Sequence, residues 1–255
     1  MICVNFYGET NVGLVRTNNE DSFATLRLAS NACLLVVCDG MGGLENGEDA
    51  SRIAIDTFVS KVRSAVLPYV SYDKLSGFGE ARVSATLENA VDSANEEVLK
   101  EISKRKDEIK VMGSTLVGIL LINERAYVVN VGDSRAYFAF DGSVMQITKD
   151  HSYVQMLIEE GMLTPDEALK HPKRNAITRA IGIRASVSPD FYRIDLKPGC
   201  RLLLCSDGLT NYAKAEDIER ILLSDNDNVF VCGELISSAL AGGGRDNVTV
   251  IVLDY

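Results

Sequence analysis

Three aspartates in this sequence stand at the ends of apolar runs. Asp39 and Asp207 each follow such a run and precede a glycine, whereas Asp246 comes shortly before a third run. Burial penalises a charged carboxylate, so an acid at the mouth of a buried strand must be neutral, paired or bound to a cation. The glycine is expected to let the backbone turn sharply and to present its carbonyl group.

These three acids predict a site for hard cations. At any one position an ordinary Asp-Gly turn is an equal alternative. Three positions of one kind favour convergence of the carboxylates, and ligation by oxygen alone selects Mg²⁺ or Mn²⁺ over Zn²⁺.

A short charged segment, residues 16–21, adds a second kind of chemistry. It contains Arg16, Glu20 and Asp21 just before a predicted strand. The guanidinium fork of arginine matches two oxygens of a phosphate group. An arginine beside an acidic metal site therefore predicts a phosphoester substrate, and a solvated charged turn is the alternative.

The sequence lacks the residue patterns of covalent catalysis and of nucleotide binding. The chain has two histidines, His151 and His171, and contains neither a G-x-S-x-G sequence nor a Cys-His signature. The glycine pairs fit neither a P-loop nor a dinucleotide fingerprint. The sequence thus argues against covalent catalysis and against a Walker-type nucleotide site.

Composition bounds the class of protein. The 255 residues are 46% hydrophobic and 24% charged, which is typical of globular proteins. A formal net charge of -10 argues against nucleic acid or an anionic membrane as the main partner. We find no apolar run long enough to cross a membrane, no signal peptide and no CxxC among the six cysteines, so we expect a cytoplasmic protein with reduced thiols.

The elements that must position these residues follow from hydrophobic periodicity. Strands are predicted at residues 2–7, 22–28, 33–38, 114–122, 126–131, 135–140, 143–147, 190–195, 201–205 and 247–253. Helices are predicted at residues 47–66, 80–106, 214–223 and 229–240, with one more beginning in a capping box at Thr164.

Short turns at 123–124 and 141–142 require neighbouring strands to be antiparallel. Long helices separate the groups of strands, which predicts packed sheets with helices outside. No linker rich in Pro, Gly or Ser divides the chain, so we expect one domain over residues 1–255.

Seven segments resemble, in order, the motifs of the metal-dependent (PPM, type 2C) serine/threonine protein phosphatases of bacterial type. They are residues 13–22, 37–43, 113–115, 131–135, 148–152, 206–209 and 244–247. Residues 162–168 and 171–175 resemble the flap of that family, which here would occupy about 152–183. The resemblance implies an α+β fold, a four-layer α/β/β/α sandwich of two mainly antiparallel sheets flanked by helices.

The resemblance also implies roles for the charged residues. Two or three Mn²⁺ or Mg²⁺ ions would be held by Glu20, Asp39, Gly40, Asp150, Asp207 and Asp246. Asp39 would bridge two ions, and Asp150 with Asp207 would make a third, weaker site. Asp21 would support Glu20 from behind. Asp39, Asp207 and Asp246 would be the catalytic set.

In this reading Arg16 holds the substrate phosphate, and a hydroxide bridging two cations attacks phosphorus in line. One departure concerns the general acid. Many members have a histidine where this chain has Met41 or Leu44. Protonation of the leaving group would then come from coordinated water or from another residue.

The implied substrates are phosphoserine and phosphothreonine in proteins, including a serine/threonine kinase that the enzyme would oppose in signalling. A monomer without nucleic-acid or membrane partners is expected. Two alternatives are a non-catalytic relative that has lost its metal and an enzyme acting on small phosphoesters or phosphotyrosine. Retention of Glu20, Asp39, Asp207 and Asp246 favours activity.

Overall fold

The computed structural model describes residues 4–42, 46–71, 78–105 and 112–255. Within these ranges eleven strands alternate with seven helices. The strands are β1 (Asn5–Asn11), β2 (Asp21–Ala29), β3 (Ala32–Met41), β4 (Gly113–Ser114), β5 (Leu116–Ile122), β6 (Arg125–Val131), β7 (Arg135–Phe140), β8 (Ser143–Gln146), β9 (Asp190–Asp195), β10 (Arg201–Cys205) and β11 (Val248–Asp254). The helices are α1 (Asn46–Ser71), α2 (Glu80–Lys104), α3 (Tyr153–Glu159), α4 (Pro165–Ala168), α5 (Asp207–Thr210), α6 (Ala215–Leu222) and α7 (Asn228–Ala241).

Two antiparallel sheets form the centre of the molecule. One has the strand order β1-β11-β10-β7-β8, and the other has the order β2-β3-β5-β6-β9 with β4 paired to β3. The turns that join neighbouring strands use residues that tolerate a left-handed backbone. Asn123 (φ 56°) links β5 to β6, and Asp141 (φ 52°) with Gly142 (φ 74°) links β7 to β8.

Three apolar clusters separate the four layers. The first lies between α1, α2 and the second sheet, where Phe58 and Leu120 are buried. The second fills the space between the sheets and includes Leu35 and Leu204. The third lies between the first sheet and the helices α6 and α7. The predicted four-layer α/β/β/α sandwich is therefore confirmed.

The flap, residues 152–183, leaves the sandwich between β8 and β9. Its α4 begins with the predicted capping box, in which the Thr164 hydroxyl accepts from the Glu167 amide and the Glu167 carboxylate accepts from the Thr164 amide. Tight backbone pairing returns the flap to the sheet. The Ile181 amide donates to the Ser114 carbonyl over 2.8 Å, and the Thr178 amide donates to the His151 carbonyl over 2.7 Å.

Most elements match their predicted ranges, and the exceptions have physical causes. The predicted strand 114–122 is divided at Thr115, because the Thr115 amide turns to the Asp39 carbonyl. The helices α3 and α5 were not predicted, since seven and four residues are too few for a helical period to stand out. The first two residues of the predicted strand 2–7 lie outside the described residues.

Cysteine placement follows the strand alternation. Cys33 faces the layer between the sheets and Cys38 faces the helix layer, so the two thiols point to opposite sides of β3. Five cysteines in the described part of the chain are buried and free of disulfides. Burial raises the pKa of Cys33 to about 12, which keeps it as an inert thiol.

None of the helices in the described ranges has the length and apolar character needed to span a membrane.

The helix-sheet layer predicts a clear contrast between two phenylalanines. Phe58 in α1 is fully buried, and Gly118 in β5 makes room for its ring. Phe58→Ala should lower the free energy of unfolding by about 3–5 kcal/mol through a cavity. The matched change Phe230→Ala removes a ring that is 52% exposed and should cost at most about 0.5 kcal/mol. Urea denaturation measures both, and equal losses would contradict this account of the layer.

Candidate functional site

Five aspartates meet at one end of the sandwich. Asp21 and Asp39 face each other across the β2-β3 pair. Asp207 opens α5 directly after β10, Asp246 precedes β11, and Asp133 follows β6. We call Asp21, Asp39, Asp133, Asp207 and Asp246 the acidic cluster. The predicted convergence of acids from distant strand ends is what the fold produces.

Burial and mutual repulsion dominate the electrostatics of the acidic cluster. Burial, and then the charges of its neighbours, raise the pKa of Asp39 well above its usual range. Burial is also the main cause that raises the pKa of Asp21 to about 7, of Asp207 to about 6 and of Asp133 to about 8. Asp39 and Asp207 share a hydrogen bond, which requires a proton on one of the two carboxyl groups. The cluster therefore favours protons or cations.

The glycines beside these acids serve close packing rather than a turn. β3 continues through Gly40 to Met41, so the strand does not end at Asp39 as predicted. A side chain at position 40 would overlap the carbonyl oxygens of Gly47 and Glu20. Gly208 lies inside α5, where a side chain would overlap the carbonyl of Asn247. The expectation of a sharp turn was wrong at Gly40, whereas at Gly208 the chain does pass from β10 into α5. At both positions only glycine lets these backbones approach.

Glu20 lies at the beginning of α1. Its carboxylate accepts a hydrogen bond from the backbone amide of Gly47, and a Cβ at Gly47 would stand 2.7 Å from a carboxylate oxygen. A carboxylate is favoured at a helix N-terminus by the exposed amides and the helix dipole. Burial still raises the pKa of Glu20, and the nearby Arg16 opposes that effect.

Arg16 reaches the edge of the acidic cluster and pairs with Asp246. Its Nε lies 2.9 Å from Oδ1 of Asp246, and its Nη2 donates to Oδ2 over 3.1 Å. The Arg16 side chain is 49% exposed, so the guanidinium is open to an incoming ligand. The hydrogen bond to Asp246 is the main cause that raises the pKa of Arg16.

Asp150 lies beside the acidic cluster, and protein donors hold its carboxylate. Arg135 grips it with Nε 2.9 Å from Oδ1 and Nη2 2.7 Å from Oδ2, and Gln146 donates to Oδ1 over 3.2 Å. Both carboxylate oxygens are thus used by protein donors. Asp133, by contrast, is buried beside Asp207 and its pKa is raised by that neighbour.

Asp21 acts as a link between the sheets. Its Oδ2 accepts from Ser206 over 2.8 Å and from Thr249 over 2.7 Å, and both donors belong to the opposite sheet. Asp21 therefore links the ends of β2 and β11 and the residue that follows β10, whereas its predicted support of Glu20 stays a prediction.

Asn247 was missed as a functional residue. Its Oδ1 accepts from the Glu20 amide over 2.8 Å, while its Nδ2 donates to the carbonyls of Val12 and Asn18 over 3.0 and 2.9 Å. One buried amide side chain thus fixes the loop that carries Arg16 and Glu20. Asp133 was also missed. Both residues lie inside motifs singled out from the sequence, which was the available signal.

As the side chains stand, no three His, Cys, Asp or Glu residues in the described part of the chain form a ready ligand set for a metal. Protein partners explain this arrangement. Arg16 holds Asp246, Arg135 holds Asp150, and Asn211 donates to Asp207 over 2.8 Å. The chemistry of the donors nevertheless fits hard divalent cations, because they are all oxygens and carry more negative charge than the nearby arginines balance.

Neither histidine contacts the acidic cluster directly. The His151 ring is buried, accepts from the Gly132 amide and lies 3.1 Å from Asp190. His171 lies against the Tyr153 ring in the flap. Met41 is half-buried at the end of β3, and Leu44 lies outside the described residues.

Comparison with known proteins places this geometry in a family. The family model "Protein phosphatase 2C" matches residues 15–227. The Mycobacterium tuberculosis serine/threonine protein phosphatase PstP is 39% identical over 242 residues, which cover 95% of this chain and 43% of PstP. The chain thus spans less than half the length of that relative. The Listeria monocytogenes serine/threonine phosphatase stp is 30% identical over 250 residues, covering 96% of this chain and 93% of stp.

A solved structure agrees with the same grouping. The catalytic domain of PstP in complex with two manganese ions superposes with a TM-score of 0.80 at 35% identity, covering 98% of this chain and 97% of that one. The chain belongs to the protein phosphatase 2C family. The resemblance drawn from the seven motifs is confirmed.

The acidic cluster predicts a pH dependence for the metal-free protein. Asp133 has a folded pKa of about 8, far above that of an exposed aspartate. The contribution of Asp133 to folding stability is complete below about pH 4. It is lost as the pH rises through about 8, because ionisation of this carboxyl is costlier in the folded state. With a chelator present, Asp133→Asn should therefore gain stability over the wild type by about 1–3 kcal/mol between about pH 5 and pH 8.

Urea denaturation at several pH values measures this difference. The control Asp141→Asn makes the same substitution at an exposed acid outside the acidic cluster, in a turn where asparagine tolerates the left-handed backbone, and it gives the background for the comparison. A flat difference for Asp133→Asn would show that its carboxyl is not under electrostatic stress.

Proposed function

We propose that this protein hydrolyses phosphoserine and phosphothreonine in proteins with the help of bound Mn²⁺ or Mg²⁺. The observation that carries the proposal is the buried acidic cluster with Arg16 at its edge. The excess negative charge of the acidic cluster favours binding of divalent cations, and the Arg16 guanidinium can bind an anion beside them. The names of the M. tuberculosis and L. monocytogenes relatives support the same activity.

Glu20, Asp39, Asp207 and Asp246, with the carbonyl of Gly40, would hold the cations. Divalent cations in such a set supply Lewis-acid stabilisation of a phosphoryl group and an activated water molecule at neutral pH. The raised pKa values of Asp39 and Asp207 support this assignment, because an ion would remove the cost of their ionisation. The two manganese ions bound to PstP support a count of at least two.

A third, weaker ion remains a proposal with two candidate acids. Asp150 and Asp207 are the predicted pair, but Asp150 would have to release Arg135 to serve as a ligand. Asp133 lies beside Asp207, and its carboxyl feels the charge of Arg135 but, unlike Asp150, makes no salt bridge to it in the described part of the chain. We therefore add Asp133 to the candidates for that ion.

Arg16 would bind the substrate phosphate by changing partners. It now shares two contacts with Asp246, and a cation on Asp246 would weaken that pair. The freed guanidinium could then donate to two phosphate oxygens. Asn247 would preserve the geometry during the exchange, since it fixes the loop on both sides of Arg16.

Two details of this chain shape proton transfer. The His151 ring is occupied by Gly132, Arg179 and Asp190, and it is therefore not free to protonate a leaving group. Met41 cannot donate a proton. Leaving-group protonation by solvent or coordinated water is the expectation that remains.

The partners are proposals at a finer level. Phosphorylated proteins, including a serine/threonine kinase, would be the substrates in the cytoplasm, and the enzyme would act as a monomer. These expectations rest on the family and on the acidic overall charge.

Release of phosphate from phosphothreonine peptides tests the function and predicts metal dependence. Activity should vanish with a chelator and return with Mn²⁺ or Mg²⁺. Asp39→Asn and Asp207→Asn should lower turnover by at least about 10³-fold and should not be rescued by added metal, whereas the exposed control Asp141→Asn should keep full activity.

Other results would favour the alternatives. Full activity after exhaustive chelation would overturn the metal assignment. Binding of phosphopeptide without turnover would favour a non-catalytic module, and preference for phosphotyrosine or for a small aryl phosphate would favour an enzyme that acts on those substrates.

Arg16 gives a separate prediction. Arg16→Ala should raise KM for a phosphothreonine peptide about 10-fold to 100-fold and should weaken inhibition by inorganic phosphate to a similar extent. Arg16→Lys keeps the charge but loses the guanidinium fork, so its KM and its inhibition by phosphate should lie between those of the wild type and Arg16→Ala. Arg220→Ala, a change in an exposed arginine of α6, is the control. An unchanged KM together with unchanged phosphate inhibition would remove Arg16 from phosphate binding.

A further inference from the structure

A cavity of about 210 Å³ lies between the flap and the acidic cluster. Its two sides differ in chemistry. The side contributed by the body of the protein is charged and polar, and it includes Asp133, Asp150 and Asp207, the three acids proposed above for a third ion. The side contributed by the flap carries polar residues as well as an apolar wall, which is formed by Val154, Ile158, Pro165, Ala168 and Leu169.

Most of the apolar wall is open to solvent, although Ala168 is buried. Val154 and Ile158 lie one turn apart on α3, and none of the residues of that helix is buried. Leu169, just after α4, is 71% exposed. Apolar surface gathered in a concave site beside polar groups is typical of a binding site.

The wall is held in place before any ligand arrives. The flap is paired to the body at Ser114 and Ile181 and at His151 and Thr178. Within the flap, the Tyr153 amide donates to the Ala176 carbonyl over 2.7 Å, and the Thr164 capping box fixes the beginning of α4. A preformed wall lowers the entropy cost of binding.

The cavity is continuous with the site of the proposed reaction. Asp207 belongs both to the acidic cluster and to the lining of the cavity. An extended chain advances about 3.3–3.6 Å per residue, so a side chain in the cavity would belong to a residue close in sequence to the phosphorylated one. The volume suffices for one large side chain, since an apolar cavity of about 150 Å³ holds benzene.

We propose that this cavity is a substrate subsite that receives a branched aliphatic or aromatic side chain within two residues of the phosphorylated residue. The proposal rests on the proposed function and names its substrates more narrowly, as phosphoproteins with an apolar residue beside the phosphorylated serine or threonine. The competing occupant is an acidic side chain held by Arg174, which also lines the cavity. The apolar wall favours the first occupant.

A set of phosphothreonine peptides tests the proposal with the full chain and Mn²⁺. Four positions lie within two residues of the phosphothreonine. In each set of peptides one of these positions carries Leu, Ala or Glu, and the rest of the peptide is unchanged. At one of these positions at least, kcat/KM for the Leu peptide should exceed that for the Ala peptide about tenfold.

Two matched variants locate the effect. Leu169→Ser removes an exposed apolar side chain that lines the cavity, and it should bring the Leu to Ala ratio close to one. Met162→Ser removes a comparably exposed apolar side chain of the flap that does not line the cavity, and it should keep the ratio. Near-ultraviolet and far-ultraviolet circular dichroism checks that both variants keep the fold.

The outcomes separate this proposal from the proposed function. Equal hydrolysis of the Leu and Ala peptides at every position would overturn the subsite and leave the phosphatase activity standing. Preference for Glu would assign the cavity to acidic side chains instead. A ratio retained in Leu169→Ser, or lost equally in Met162→Ser, would also overturn it. Failure to hydrolyse any peptide would overturn the proposed function and the subsite together.

Discussion

Repulsion among buried carboxyl groups is the constraint on which the rest of this structure depends. Asp39 faces Asp21 across a strand pair and shares a hydrogen bond with Asp207, so these acids cannot all ionise without a compensating cation. A fold selected for stability alone would not gather them. The sandwich tolerates them because two apolar layers and the layer between the sheets are fully formed around Phe58, Leu120 and Leu204.

Neutral donors hold Asp21 and the loop beside the acidic cluster, and Asp246 is paired with Arg16. Ser206, directly after β10, and Thr249 of β11 donate to Asp21, and Asn247 fixes the loop of Arg16 and Glu20. Neutral donors hold carboxylates without removing their charge, so the site keeps its attraction for cations. An arginine at each of these places would instead occupy the carboxylate oxygens, as Arg135 does at Asp150.

Local sequence could predict the acids but not their partners. Asp39, Asp207 and Asp246 are visible because an apolar run that meets an acid is a feature of adjacent residues. The pair Arg135–Asp150 and the three hydrogen bonds of Asn247 join residues that are 15 to more than 200 positions apart, so only the fold brings them together. The glycine next to Asp39 shows the same limit. Its presence was visible, but its reason is the carbonyl of Gly47, which approaches from another element.

Different parts of the flap attach it to the body and line the cavity. Its inner strand-like segments are paired to the body through Ser114 and His151, and these contacts are made by backbone atoms that any sequence could supply. These contacts do not involve the side chains of α3 and α4. The half-buried Val154 and Ile158 of α3 and the exposed Leu169 after α4 line the cavity. The acidic cluster can recognise only a phosphate and its ions, which every phosphoprotein presents alike. Discrimination among phosphoproteins must come from surface beside the cluster, and this wall is placed to supply it without disturbing the carboxylates.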